Sequence, residues 1–237
     1  MEALITSGLE AMGLTGSVPQ NAPALLARYG GALLEKNQVM NLTAITDPRD
    51  VATLHMLDCA PLLECGQFSG KTLIDVGTGA GFPGMVLKLL TPTLSVTLLD
   101  SLQKRLDWLE GLAADWGLSG VTVLHGRAEE AGHDSALREQ FDFATARAVA
   151  DLRLLSELCL PFVKVGGRFL AMKSVDSEKE TAAGLPGIQR LGGKLLGVYD
   201  YPIPHTQVTH RVVVVEKCHA TPPAYPRRWS KMQKQPL

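Results

Sequence analysis

Leu73-Ile74-Asp75-Val76-Gly77-Thr78-Gly79-Ala80-Gly81-Phe82-Pro83-Gly84 is an apolar strand that runs into an acid, then three alternating glycines, then a helix start. Alternate glycines let the backbone turn tightly with nothing projecting from Cα. A flat ligand can then lie against the main chain at the carboxyl edge of the strand, where open α/β sheets bind their ligands. Asp100 stands 23 residues after Gly77 and ends the next apolar run, Leu94 to Leu99. An acid there can accept hydrogen bonds from both hydroxyls of a ribose. Turn and acid together read as an adenosine-cofactor site.

Gly79-x-Gly81-x-x-Gly84 also satisfies the dinucleotide fingerprint, which on its own is a weak signal. Two residues favour S-adenosylmethionine over NAD. Asp75, two positions before the first glycine, suits a zwitterionic amino-acid group or its ordered water and opposes an anionic pyrophosphate. Pro83 opens the following helix and removes one N–H, thinning the donor set that a pyrophosphate would use.

From Lys71 onward, apolar segments at 72–76, 94–99, 121–124, 141–146 and 166–172 alternate with helical patterns near 83–91, 102–117 and 151–163. Strands separated by helices imply a parallel, doubly wound sheet. Lys194 to Tyr199 and Thr209 to Glu216 read as two strands with no helix between them, an antiparallel hairpin closing the sheet. Such a hairpin is typical of class I methyltransferases and unusual in dinucleotide dehydrogenases. Residues 1–66 read as a helical cap, 67–220 as the cofactor-binding domain, and 221–237 as a basic tail.

The chain has 237 residues and a net charge of −1, so bulk composition carries no nucleic-acid signal. The charge is uneven. Residues 225–237 hold Arg227, Arg228, Lys231 and Lys234 and no acid, which leaves the other residues at −5. With Tyr225 and Trp229 interleaved, this tail suits phosphates and stacked bases, or simply a solvated terminus. Cys59, Cys65, Cys159 and Cys218 lack metal-site spacing and lie in apolar segments, as reduced buried residues do. No apolar run approaches the ~18 residues of a membrane span, and the N-terminus has no signal-peptide pattern. A cytoplasmic, metal-free protein is expected.

In such sheets the residues just past each strand face the ligand. They are Gly77, Gly79 and Phe82 after the first strand and Asp100 after the second. His125-Gly126-Arg127-Ala128-Glu129-Glu130 follows the third and suits an adenine edge, met by a backbone N–H and a carboxylate, although Glu129 or Glu130 also fits a helix N-terminus. Arg147 ends the fourth strand. It can grip a cofactor carboxylate bidentately, hold a substrate phosphate, or pair with Asp151. Lys173, Arg211, Arg227 and Arg228 are candidate phosphate contacts.

With these positions assembled, the chain resembles the small-subunit (16S) ribosomal RNA guanine-N7 methyltransferase family, also called glucose-inhibited division protein B. The matching segments are Met40 to Ile45, His55-Met56-Leu57-Asp58, Asp75 to Gly84, Leu98 to Arg105, Arg127 to Glu130, Ala146-Arg147-Ala148, Met172-Lys173 and the tail. The glycine turn marks only the superfamily. Asn-Leu-Thr-Ala-Ile (41–45), Leu-Leu-Asp-Ser-Leu (98–102) and the tail are family-specific. The resemblance implies cofactor contacts at Gly77, Phe82, Asp100, Ala128, Glu129 and Arg147, and 16S ribosomal RNA or the small subunit as partner. Lys36, where members often have Trp, and Cys59, often Ser, depart from the pattern and bear on the packing of the cap. No tetrapeptide for gripping an exocyclic amine and no Pro-Cys pair occurs, which disfavours N6-adenine and C5-cytosine methylation. Small-molecule O- or N-methylation and a non-enzymatic RNA-binding role on the same fold stay open.

Overall fold

Seven strands form one sheet in the order β3-β2-β1-β4-β5-β7-β6. In the computed structural model, which describes residues 1–237, they are β1 (Thr72–Val76), β2 (Ser95–Asp100), β3 (Val121–His125), β4 (Phe141–Arg147), β5 (Val163–Ser174), β6 (Gly193–Pro202) and β7 (Thr209–Lys217). β1 to β5 are parallel, and β7 enters antiparallel between β5 and β6. The hairpin read from the sequence is therefore present, with its second strand inserted beside β5. The order reverses at β1, which fixes the crevice for a ligand at the carboxyl ends of β1, β2 and β4.

The helices are α1 (Glu2–Ala11), α2 (Ala22–Met40), α3 (Pro48–Asp50), α4 (Gly84–Leu90), α5 (Gln103–Asp115), α6 (Ala128–Ala131), α7 (Leu152–Cys159), α8 (Glu178–Arg190) and α9 (Trp229–Lys234). A π-helical turn, Val51–Leu57, continues α3. The sheet is buried on both faces by strict alternation. Leu73, Phe143, Leu170, Met172, Val212 and Val214 face a layer made by α1, α2, the π-turn, α4 and α5. Ile74, Val76, Ala144, Ala146, Phe169, Ala171, Val213 and Val215 face α7, α8 and the C-terminal segment. Each buried aliphatic side chain contributes about 1.5–3 kcal/mol. The segment 1–66 thus continues one helical layer and shares its core with the sheet. Met232, fully buried, joins residues 221–237 to the other layer. No helix is long and apolar enough to cross a membrane.

Candidate cofactor and base-binding crevice

The glycine turn is tied down by the two acids beside it. Gly77, Gly79 and Gly81 have φ of 72°, 58° and 88°, and the Gly77 and Thr78 N–H groups donate to the Leu99 carbonyl at 2.8 and 3.0 Å. Asp75 Oδ2 accepts from the Thr78 hydroxyl at 2.6 Å and from the Gly84 N–H at 2.8 Å. That bond pulls α4 onto β1. A Cβ at Gly84 would stand 2.7 Å from Leu98 and 2.8 Å from Asp75 Oδ2, so the third glycine of the fingerprint serves helix–strand packing. Asp100 reaches across from β2: its Oδ2 accepts from the Gly79 N–H at 2.8 Å and its Oδ1 from the Leu102 N–H at 2.9 Å.

Two adjoining cavities open here, of about 200 and 370 Å³. They share Gly77, Asp100, Ser101 and Val149. The smaller lobe adds Ala128, Glu129, Leu158 and Trp229. The larger adds Thr43, His55, Gly79, Phe82, Arg105 and Arg147. All seven residues expected to bind cofactor line this one crevice, with Asp100 at the junction of its lobes.

Arg147 is held from below. Its Nη1 donates to the Leu54 carbonyl and to Asp58 Oδ2, both at 3.0 Å, and its Nη2 donates to His55 Nδ1 at 3.0 Å. Of its five N–H donors, the Nε–H and one Nη2–H stay uncommitted, a side-on pair suited to a carboxylate. The partner that the sequence suggested, Asp151, instead caps α7 and pairs with Arg153 at 2.9 Å. The π-turn is what brings His55 and Asp58 under Arg147, a use of π geometry frequent at functional sites. His55 stacks on Phe82 at 4.5 Å between centroids, and the Arg147 guanidinium lies 4.8 Å from the same ring. Burial, then the Arg147 charge, lowers the His55 pKa to about 4. The ring is neutral and both nitrogens are used: Nδ1 accepts from Arg147, so Nε2–H donates to the Thr43 hydroxyl at 2.8 Å.

Asp75 is fully buried, its Oδ1 has no hydrogen-bond partner, and burial raises its pKa to about 6. A buried carboxylate oxygen left open is expensive, and a cationic group or ordered water at the turn would satisfy it. A Cβ built at Gly79 meets nothing closer than the Gly77 carbonyl at 4.0 Å, so that backbone faces open space. These features fit S-adenosylmethionine: Asp100 for the ribose, the smaller lobe for adenine, and Arg147 and Asp75 for the methionine end.

Three of the four expected phosphate contacts are committed elsewhere. Lys173 pairs with Glu180 at 2.6 Å and donates to the Ala150 carbonyl. Arg211 binds both oxygens of Asp200 at 2.6 and 2.8 Å. Arg227 is locked to buried Glu157 at 2.6 Å. Each is paired within the fold, whereas Arg228 is exposed. Sequence reasoning missed Thr43, His55 and Trp229 as lining residues. The first two lie in segments that carried the family resemblance, but nothing local assigns them a role.

Comparison with known proteins agrees with this geometry. The family model for rRNA small subunit methyltransferase G matches residues 23–199. The ribosomal RNA small subunit methyltransferase G of Alkaliphilus metalliredigens is 42% identical over 99% of this chain and 98% of its own. Its namesake from Lactobacillus johnsonii is 47% identical over 89% of this chain and 90% of its own. The crystal structure of a SAM-dependent O-methyltransferase from Thermotoga maritima shares the fold at a TM-score of 0.53 and 18% identity, covering 80% of this chain and 73% of that one. The chain is a S-adenosylmethionine-dependent methyltransferase and belongs to the rRNA small subunit methyltransferase G family.

Proposed function

We propose that the protein transfers a methyl group from S-adenosylmethionine to N7 of a guanine in 16S ribosomal RNA, acting in the cytoplasm on that RNA or the small subunit. The observation that carries this reading is the absence of a free base in the larger lobe. His55 has both ring nitrogens committed, and the other ionisable groups there are Arg105, Arg147 and Asp100, the last bound to two backbone N–H groups. Guanine N7 presents an in-plane lone pair and no proton, so it needs no base. A hydroxyl substrate would have to lose one.

The bound cofactor supplies an electrophilic sulfonium methyl group. The chain's part is orientation, which can provide up to ~7–11 kcal/mol in well-aligned systems. In this reading Asp100 takes the ribose hydroxyls, and Ala128 N–H and Glu129 meet the adenine edge. Glu129 Oε1 accepts from Arg127 at 2.7 Å, which leaves Oε2 for the exocyclic amine. Arg147 directs its two remaining donors at the carboxylate. Phe82, packed under the bonded His55–Arg147 pair, supports the reacting end. A loop guanine is cheaper to extract from its stack than a paired one. We assign residues 1–66 to framing the larger lobe, 67–220 to cofactor binding, and 221–237 to the tail, whose exposed Arg228, Lys231 and Lys234 suit phosphates.

The test is to map N7-methylguanine in ribosomal RNA from cells with and without this chain. One site should vanish in the deletion strain and return with the wild-type chain but not with Gly77→Asp. An unchanged map would overturn the proposal.

A further inference from the structure

Trp229 is half-buried. It opens α9 and lines the smaller lobe beside Ala128, Glu129 and Leu158. The chain delivers it there through a set of clips. The Arg227 backbone N–H and Nε donate to Glu157 Oε1 at 2.7 and 2.8 Å, and its Nη2 donates to Oε2 at 2.6 Å. Glu157 is fully buried on α7, one residue before Leu158. His133 Nε2 contacts the Pro226 carbonyl at 2.7 Å, and Arg138 donates to the Tyr225 carbonyl at 2.8 Å. On the far side, Met232 is fully buried and Leu237 lies against Gly187. The segment is thus fastened on both sides of the indole.

We propose that Trp229 is a wall of the adenine subsite, so that the tail closes the cofactor pocket and cofactor binding and tail docking reinforce one another. This rests on the reading that the crevice holds S-adenosylmethionine. The lobe is the size of one flat heterocycle; the aliphatic Val76, Leu99, Val149 and Leu158 line it beside the backbone of Gly77 and Gly126, with Asp100, Arg127 and Glu129 at its polar edge. An indole there offers the π-face on which bases stack. The aromatic residue that the sequence offers to a base meets the base of the cofactor instead of one in RNA. Coupling is reciprocal: what tightens the tail tightens the cofactor.

Calorimetry with S-adenosylmethionine and with adenosine on the full chain tests this. Trp229→Ala should weaken both ligands about tenfold or more, since base stacking on an aromatic is lost. Trp229→Phe should recover most of the affinity. Arg147→Ala should weaken S-adenosylmethionine and leave adenosine unchanged. Cofactor should also protect the wild-type tail from trypsin at Arg228 and Lys231, and protect it less in Trp229→Ala. If the wild-type chain binds neither ligand, the underlying reading fails. If wild type binds both and Trp229→Ala binds them as tightly, Trp229 only packs and the inference is overturned. Should Trp229→Ala not fold, intrinsic fluorescence decides. The change on adding cofactor must be smaller in Trp229→Phe than in wild type, and an equal change overturns the inference.

Discussion

Asp75, next to last in β1, and Asp100, last in β2, carry the same functional group on adjacent parallel strands under different demands. Asp100 has two backbone donors and Arg105 at 3.5 Å. Asp75 has two donors on one oxygen and none on the other, and burial lifts its pKa from 3.8 to about 6. A raised carboxyl pKa means that the folded state keeps a proton the unfolded chain has released. Stability therefore falls as pH rises from about 4 to about 6, by roughly 3 kcal/mol at ~1.4 kcal/mol per unit. Asp75→Asn should flatten that part of a denaturant-midpoint profile against pH, and identical slopes would refute it. Asp75 without its proton is also the form that suits a cationic ligand, so wild-type S-adenosylmethionine affinity should drop below pH 6 and that of Asp75→Asn should not. Two glycines nearby separate fold from binding. A Cβ at Gly81 (φ 88°) would strike the Tyr29 hydroxyl and approach Leu109 and Met85 to 2.9 Å. Gly81→Ala should cost about 2–5 kcal/mol, combining a left-handed alanine with an overfilled site. Gly79→Ala, with open space ahead of it, should cost only ~1–2 kcal/mol and lose cofactor affinity instead. Comparing melting with calorimetry checks the contrast.

At the scale of elements, the parallel strands were readable because each is a short apolar run closed by a polar residue at a sheet edge. β5 proved longer than the expected 166–172, spanning Val163–Ser174: Val163 pairs with Phe141 ahead of a register break that leaves Gly166 and Gly167 unpaired, and pairing resumes at Arg168 with Phe143 and Glu216. The helix α8 was missed. Its sequence, EKETAAGLPGIQR, holds Gly184, Pro186 and Gly187, which erase the helical signal. Its buried Ile188, packed on the sheet layer, supplies the order that propensity does not. A connector at Asn41–Thr46 and a helical segment from Pro48 follow from the sequence, but the π geometry of Val51–Leu57 does not, because tertiary partners build it. Asn37 holds the Asn41–Thr46 connector through three bonds: its Oδ1 accepts from the Leu42 and Thr43 N–H groups at 2.6 and 2.9 Å, and its Nδ2 donates to the Thr43 carbonyl. Asn37→Ala should lower stability by about 1–3 kcal/mol through the orphaned N–H groups. It should also weaken cofactor binding, because Thr43 then no longer fixes His55. A melt and a titration on the same variant would show both losses. A stable variant with normal affinity would mean that the connector holds itself. Cys59 is fully buried, and its Sγ donates to the His55 carbonyl at 3.0 Å.

At the scale of the molecule, the N-terminal helices and the tail occupy opposite faces of the sheet, and each contributes side chains to one lobe of the crevice: Thr43 and His55 from the first, Trp229 from the second. The tail's positive charge suggests RNA, yet the ion pair that fixes it lies inside. Its partner, Glu157, is 70 residues upstream on α7, beyond any local pattern. The two roles for Arg227 predict different losses. As a phosphate contact, Arg227→Ala would leave stability alone and reduce the salt dependence of RNA binding by about one counterion. As the clip, its removal strands a carboxylate that is 1% exposed, a change that costs about 3–5 kcal/mol. Replacing both partners by apolar residues of similar volume should then return most of that stability, because the cost comes from the unpaired charge and not from the lost pair. Urea midpoints of Arg227→Met, Glu157→Leu and the double variant measure the coupling, which should be at least ~1.5 kcal/mol. Additive midpoints with a reduced salt slope for RNA would return Arg227 to the nucleic-acid surface.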